Sequence, residues 1–239
     1  MLNPQLDVES LARSFKIDRR LIIENFLRTE VAEQMHSACL DSVPFEIQYV
    51  QDGQYKSLSQ SEASKYTPDE QRKINAQIMN AARQGEGFLY DGYLRSRVKT
   101  TQESMLNEKL SFLHEIFAEI GGKDVLDLIS GITGSNELTG AEPQYTRYMP
   151  GHFLTRHKDV VDGRDRRFAF VLGLTKGWHP DWGGLLQFYQ EDGTPRDAWM
   201  PRFNVLSIFD VSHIHAVTYV TPFAAVPRLS MTGWFVARG

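Results

Sequence analysis

Residues 144–159 read QYTRYMPGHFLTRHKD, two short runs of β-prone residues joined by a Pro-Gly turn and closed by His157-Lys158-Asp159. From Gln144 onward this pattern repeats over 144–149, 153–159, 167–174, 185–190, 205–209, 215–220 and 229–237. The runs are rich in Phe, Val, Tyr, Leu and Trp, and Gly, Pro, Asp or Asn separates most of them. Strands of this length and spacing predict a sandwich or jelly roll. On a strand, His157 and Asp159 share one face at about 7 Å between Cα atoms, so both can reach a single ion.

A third ligand then has to come from another strand. His215 precedes Ala-Val and continues as a strand, whereas Val211-Ser212-His213 reads as the turn leading in. His213 shares the parity of His215, so context rather than parity favours His215. Two imidazoles and one carboxylate can hold one face of an octahedral iron(II) and leave the other open. The remaining histidines are read blandly. His152 and His179 lie in Gly/Pro-rich loops as solvated side chains, and His36 and His114 lie in N-terminal helices. No His-Glu-x-x-His zinc-hydrolase pattern is present.

Downstream, Arg228, Ser230, Thr232 and Trp234 alternate with Leu229, Met231, Gly233 and Phe235. If this is a strand, a polar row faces the metal side, which is costly unless an anion sits there. Arg228 is suited to gripping a carboxylate through two parallel hydrogen bonds, with Ser230 as a further donor.

The first 140 residues read as helix-rich, with strands at Arg20–Phe26, Phe45–Tyr49, Tyr55–Leu58 and Phe88–Leu94. Thr29 caps a helix to about Leu40, and Thr67-Pro68-Asp69-Glu70 is a capping box with proline at the first helical position. Met105 to Ile120 is amphipathic and stops at Gly121-Gly122. Ser59–Lys65 reads as an exposed loop. The predicted fold class is α+β with a mainly β core: a jelly roll with N-terminal helices packed on one sheet. It forms a single domain, 1–239, in which 1–140 supports a core at 141–239.

The 239 residues carry a formal net charge of −4, 41% hydrophobic residues and one cysteine, Cys39. The sequence pI is about 6.0. These values give no basic footprint for nucleic acid, no intrachain disulfide and no membrane span. The N-terminus, MLNPQLDVESLARSFK, lacks the form of a secretory signal. A soluble, cytoplasmic protein is expected.

The residues resemble the iron(II)- and 2-oxoglutarate-dependent dioxygenases in their prolyl-4-hydroxylase-like branch. The resemblance spans about 126–238 and runs through YMPGHFLTRHKD (148–159), GGL (183–185), FDV (209–211), HAV (215–217) and RLSMTGWF (228–235). With ISGITG (129–134), the tail looks most like the branch whose eukaryotic members hydroxylate a proline of a small-subunit ribosomal protein. Those members carry a second, non-catalytic β-helix domain, and this chain is expected to end after the first.

By motif position the resemblance implies the double-stranded β-helix fold, with His157, Asp159 and His215 as iron(II) ligands. Arg228 would pair with the distal carboxylate of 2-oxoglutarate, Tyr148 and Ser230 would assist it, and Arg166 and Trp234 would lie near the substrate. It implies hydroxylation of a C–H bond with O₂ as co-substrate, release of succinate and CO₂, and ascorbate as an auxiliary reductant. A protein or peptide is the expected substrate, with segments 50–66 and 160–166 as lids. A small-molecule hydroxylase and a non-catalytic β-helix interaction module are the alternatives. A nucleic-acid demethylase would need its arginine pair closer than Arg228 and Arg238. Relatives often place a tyrosine on the strand matching Phe168–Leu174, where this chain has Gly173. That departure suggests heavier reliance on Tyr148, or a roomier pocket. The link from His215 to Arg228 is also longer than usual around Pro222–Val226.

Overall fold

The computed structural model describes residues 1–94 and 107–237. The predicted helix start at Met105 and Leu106, and Arg238, lie outside the described residues. Among the described residues ten of twelve strands are hydrogen-bonded along one path that doubles back on itself, and β2 and β3 branch from it at β4. The strands are β1 (Arg20–Glu24), β2 (Glu46–Gln51), β3 (Gln54–Ser59), β4 (Phe88–Tyr93), β5 (Leu138–Tyr148) and β6 (Phe153–His157). They continue as β7 (Arg166–Gly173), β8 (Leu186–Tyr189), β9 (Pro195–Trp199), β10 (Val205–Asp210), β11 (His215–Val217) and β12 (Arg228–Ala237).

One ladder runs β1-β10-β7-β12-β5 and the other β6-β11-β8-β9. From β5 to β12 the chain therefore steps back and forth between two sheets, with only the β8–β9 hairpin staying on one side. That interleaving is a double-stranded β-helix, the predicted architecture. The two sheets part at β4, whose Asp91–Tyr93 end pairs with β5 and whose Phe88–Leu89 end pairs with β6. At the other side of the roll, β1 and β9 meet through side chains. Arg20 bridges Asp18 and Asp197, and its guanidinium lies 4.6 Å from the Phe188 ring centroid.

Six helices lie among the described residues: α1 (Val8–Asp18), α2 (Thr29–Asp41), α3 (Gln60–Ala63), α4 (Pro68–Arg83), α5 (Glu108–Ile120) and α6 (Lys123–Thr133). All but α3 and α4, which pack on β2, β3 and β4, cover the outer face of the larger sheet. Phe15, Met35, Leu113 and Ile129 from four of them share one core with Tyr145, Phe170, Leu206, Leu229, Met231 and Phe235. Each such large apolar side chain contributes about 1.5–3 kcal/mol on burial. The alternation in β12 is decided by this core. Leu229, Met231 and Phe235 face the helices, while Trp234 packs between the sheets with Ala169, Phe188 and Phe209.

Local signals explain most boundaries. In α4 the Thr67 hydroxyl accepts from Glu70 N–H while the Glu70 carboxylate accepts from Thr67 N–H at 2.8 Å, with Pro68 behind the cap. Besides the short α3, two helices were not anticipated. In α1 Phe15 alone is buried, so the apolar stripe is thin, and Asp7 supplies the cap by accepting from Ser10 N–H at 3.0 Å. In α6 there is no side-chain cap, and β-branched residues dilute the helical signal, although Gly134 closes it at φ +74°.

Other differences are smaller. The strand predicted to run to Phe26 ends at Glu24, and those predicted to reach Asp159 and Val220 end at His157 and Val217. β5 starts earlier, at Leu138, and β9 was not foreseen. Segment 50–66, read as a lid, is largely the ordered strand β3 and helix α3, and the Ser59 cap of α3 replaces the predicted loop. Segment 160–166 is a tight turn bridged between Val161 and Arg164.

Candidate metal and co-substrate site

The three predicted ligands arrive from two strands and one loop. His157 ends β6 and His215 begins β11, and the two are direct cross-strand partners, their ring centroids 4.2 Å apart. Asp159 lies just beyond β6, held by its N–H donating to the Val211 carbonyl at 3.1 Å. Its carboxylate oxygens stand 3.5 Å from His157 Nε2 and 3.4 Å from His215 Nε2. One ligand atom from each of the three lies within 4.8 Å of the others, and among the described residues this is the single such group.

The tautomers follow from the hydrogen bonds. His157 Nδ1 is 2.9 Å from the Thr155 carbonyl and His215 Nδ1 is 3.0 Å from the His213 carbonyl. Both Nδ1 atoms must donate, so both Nε2 atoms face Asp159, and each carries a lone pair for a metal when its ring is neutral. His213 turns away, its Nε2 2.9 Å from the Asp18 carbonyl at the end of α1. That distance separates the two histidines that parity left undecided.

Burial and charge shape the protonation of the group. Burial opposes ionisation of Asp159, but the His157 hydrogen bond and the charges of both imidazoles hold its carboxyl below the usual range. The Trp234 indole N–H assists from close by, although it falls short of hydrogen-bond geometry. His157 is pushed up: burial works against its charge, and the hydrogen bond and charge of Asp159 outweigh it. His215 is pushed down to about 4 by burial and by neighbouring His157. A buried N₂O donor set with one imidazole partly open fits an iron(II) facial triad better than a closed four-ligand zinc site.

On the larger sheet, Arg228 is 1% exposed. Its Nε and Nη1 are enclosed without an acceptor, as are Ser230 Oγ and the Trp234 indole nitrogen. An unsatisfied buried donor costs about 1–3 kcal/mol, more for a charged one, so this row is suited to an acidic ligand. Tyr148 is the cross-strand partner of Arg228, and the guanidinium sits 5.0 Å from its ring centroid. Burial pushes the Tyr148 hydroxyl far up, so it stays a neutral phenol able to donate. The Gly183-Gly184 pair lets the chain pass close behind. A Cβ at Gly184, where φ is +62°, would stand 3.1 Å from both Arg228 Cδ and the Trp178 ring.

The two predicted substrate neighbours occupy one stack beside Asp159. The Arg166 guanidinium lies 3.4 Å from the Trp234 ring centroid and is paired with Glu142 at 3.1 Å. Glu142 gave no sequence signal of its own. It lies opposite Trp234 in the β5–β12 register, which only the pairing reveals. His152 is not a solvated loop side chain: its Nδ1 is fully enclosed and without a partner. Gly173 is explained by crowding rather than by a roomier pocket. A Cβ there would fall 2.1 Å from the Arg202 carbonyl oxygen, so no side chain has room at this position. In the long link before β12, Ala224 N–H donates to the Thr221 carbonyl and Ala224 packs near Tyr148 and Trp178.

Residues 143–236 match the model of the 2OG-Fe(II) oxygenase superfamily. That match covers less than half of the chain, the part that contains His157, Asp159, His215 and Arg228. Among curated proteins, prolyl 3-hydroxylase OGFOD1 of Xenopus laevis is 28% identical over 209 residues, covering 84% of this chain and 37% of that protein. The Mus musculus protein of the same name is 37% identical over 89 residues, 34% of this chain and 16% of its own length. The chain thus spans little more than a third of the first of these relatives. Solved structures share the fold. A Pseudomonas putida prolyl-4-hydroxylase aligns with TM-score 0.58 at 20% identity, covering 97% of this chain and 100% of its own. A Trichoplax adhaerens prolyl hydroxylase, solved with a hypoxia inducible factor peptide, gives 0.59 at 16% identity over 96% and 89%. No described helix is long and apolar enough to cross a membrane.

Proposed function

We propose that this chain is an iron(II)- and 2-oxoglutarate-dependent dioxygenase that hydroxylates a prolyl residue of a protein. The ribosomal or translation protein suggested by the sequence resemblance is the first substrate to test. The observation that carries the reading is the pair of buried, unpartnered side chains Arg228 and Ser230 on the larger sheet of a roll whose smaller sheet brings a His-Asp-His group together.

His157, Asp159 and His215 would hold the iron through Nε2, a carboxylate oxygen and Nε2. Arg228 would receive the distal carboxylate of 2-oxoglutarate, with Ser230 Oγ and the Tyr148 phenol as further donors. When bound, iron and 2-oxoglutarate together supply O₂ activation, the co-substrate leaving as succinate and CO₂. The protein's own work is placement and dryness. Phe188 and Phe209 pack on the His215 ring at 6.4 and 4.7 Å, and Trp178 walls the arginine end. Arg166 and Trp234 would line the substrate side, and the turn at 160–166, with Val160 and Val161 exposed, would meet a peptide. Ascorbate would keep the iron reduced. The single cysteine and acidic balance favour a cytoplasmic setting without nucleic acid or membrane as partner.

The test is succinate release from iron-loaded protein with 2-oxoglutarate, using prolyl peptides in one arm and free amino acids in another. The expected result is peptide-dependent succinate and a peptide heavier by one oxygen atom. Turnover with free amino acids alone would select the small-molecule reading. Iron content and succinate at background would select a non-catalytic module.

A further inference from the structure

The turn between β10 and β11, which delivers His215, is clamped by the junction of α1 and β1. Asp210 N–H donates to the Arg19 carbonyl at 2.9 Å, and Arg19 returns an ion pair to the Asp210 carboxylate at 2.8 Å. The Asp210 side chain also accepts from Ser212 N–H at 3.0 Å, and its carbonyl accepts from His213 N–H at 3.1 Å. At the far end of the turn, His213 Nε2 meets the Asp18 carbonyl at 2.9 Å. Asp18 is itself fixed by Arg20 and Arg196, each 2.5 Å from its carboxylate. The Asp18 carbonyl can only accept, so His213 Nε2 carries a proton.

The consequence lies in the carbonyl of His213. It is the group that accepts the His215 Nδ1–H at 3.0 Å. The orientation of one residue is therefore set at both ends: its ring by α1, its carbonyl by the ligand imidazole. Partners on the non-ligating nitrogen fix tautomer and ring direction, and their loss typically costs 10–100-fold in metal affinity.

We propose that His213 is a positioning residue for the metal centre, a strut tying the His215 imidazole to the end of α1. It rests on the reading of His157, Asp159 and His215 as metal ligands, so metal binding is measured directly rather than through turnover. His213→Leu removes the donor to Asp18, His213→Gln can supply an amide donor, and His213→Asn supplies one that falls short.

Cobalt(II) titrations followed by visible absorption, with unfolding temperatures of the metal-free proteins, test it. The strut predicts cobalt affinity weakened about 10-fold in His213→Leu and His213→Asn, an altered absorption band, and recovery of both in His213→Gln. The His215 Nδ1 proton, seen by NMR in the native protein, should exchange faster in His213→Leu. Native affinity and spectrum in His213→Leu would overturn the proposal. So would a His213→Gln protein as weak as His213→Asn, the comparison that decides if His213→Leu does not fold. Failure of the native chain to bind cobalt at all would instead strike the ligand reading beneath it.

Discussion

Arg228 and Tyr148 stand opposite each other across β12 and β5, the guanidinium 5.0 Å from the phenol ring, and the arginine's Nε and Nη1 meet no acceptor. Such a cation is held ready by the fold at the expense of its stability, because burial already pulls its proton affinity down. Arg228→Met is therefore expected to raise the stability of the ligand-free protein by about 1–3 kcal/mol. It should also abolish the thermal shift produced by 2-oxoglutarate in the native chain. Differential scanning fluorimetry with and without 2-oxoglutarate checks both signs in one experiment.

Asp159 is the hinge of the ligand group, within 3.5 Å of both imidazoles. Asp159→Ala should reduce bound iron and succinate release to background, measured by metal analysis and product assay. Retained turnover would refute the assignment of Asp159.

The crowding at Gly173 forbids a side chain. Gly173→Ala should destabilise by about 1–3 kcal/mol, since its Cβ would fall 2.1 Å from the Arg202 carbonyl oxygen. Urea denaturation of the two proteins measures this. A neutral Gly173→Ala would mean that the 202 loop is not seated where it is described.

Acid should loosen the α1–β1 junction. Asp18 lies below the usual carboxylate range: burial pushes it up, and hydrogen bonds and charge from Arg20 and Arg196 outweigh that. Asp210 is held down too, against burial, by Ser212 and Arg19. A folded pKa below the unfolded value of about 3.9 gives stability that is present above that value. It is lost as pH falls through the lower folded value. Arg196→Ala removes one partner of Asp18 and should move the acid midpoint upward. Circular dichroism between about pH 5 and pH 2 follows it.

Much of the site could be read from the chain because its chemistry is written in local periodicity. His157 and Asp159 share a strand parity, and the row from Arg228 to Trp234 alternates cleanly with Leu229, Met231 and Phe235. What escaped depends on contacts distant in sequence. Local context favours His215 over His213, but the contact of His213 with the Asp18 carbonyl lies in no window around residue 213. Glu142 takes its place only through the β5–β12 register, and the meaning of Gly173 lies in the backbone of residue 202. Helix α1 escaped for a different reason: one buried phenylalanine is too little pattern to detect.

The pairing of His157 with His215 has a thermodynamic side. Strand β11 is only three residues long, and its first residue, His215, faces His157 of β6 across the ladder. An ion gripping both imidazoles acts as a cross-link between chain segments remote in sequence. It withdraws loop-closure entropy from every partly unfolded state that separates them. Metal loading should therefore protect the amides of the smaller sheet from hydrogen exchange far more than those under the helices. Loss of metal would then register first as local fraying of β11, before any change in the helix-covered core.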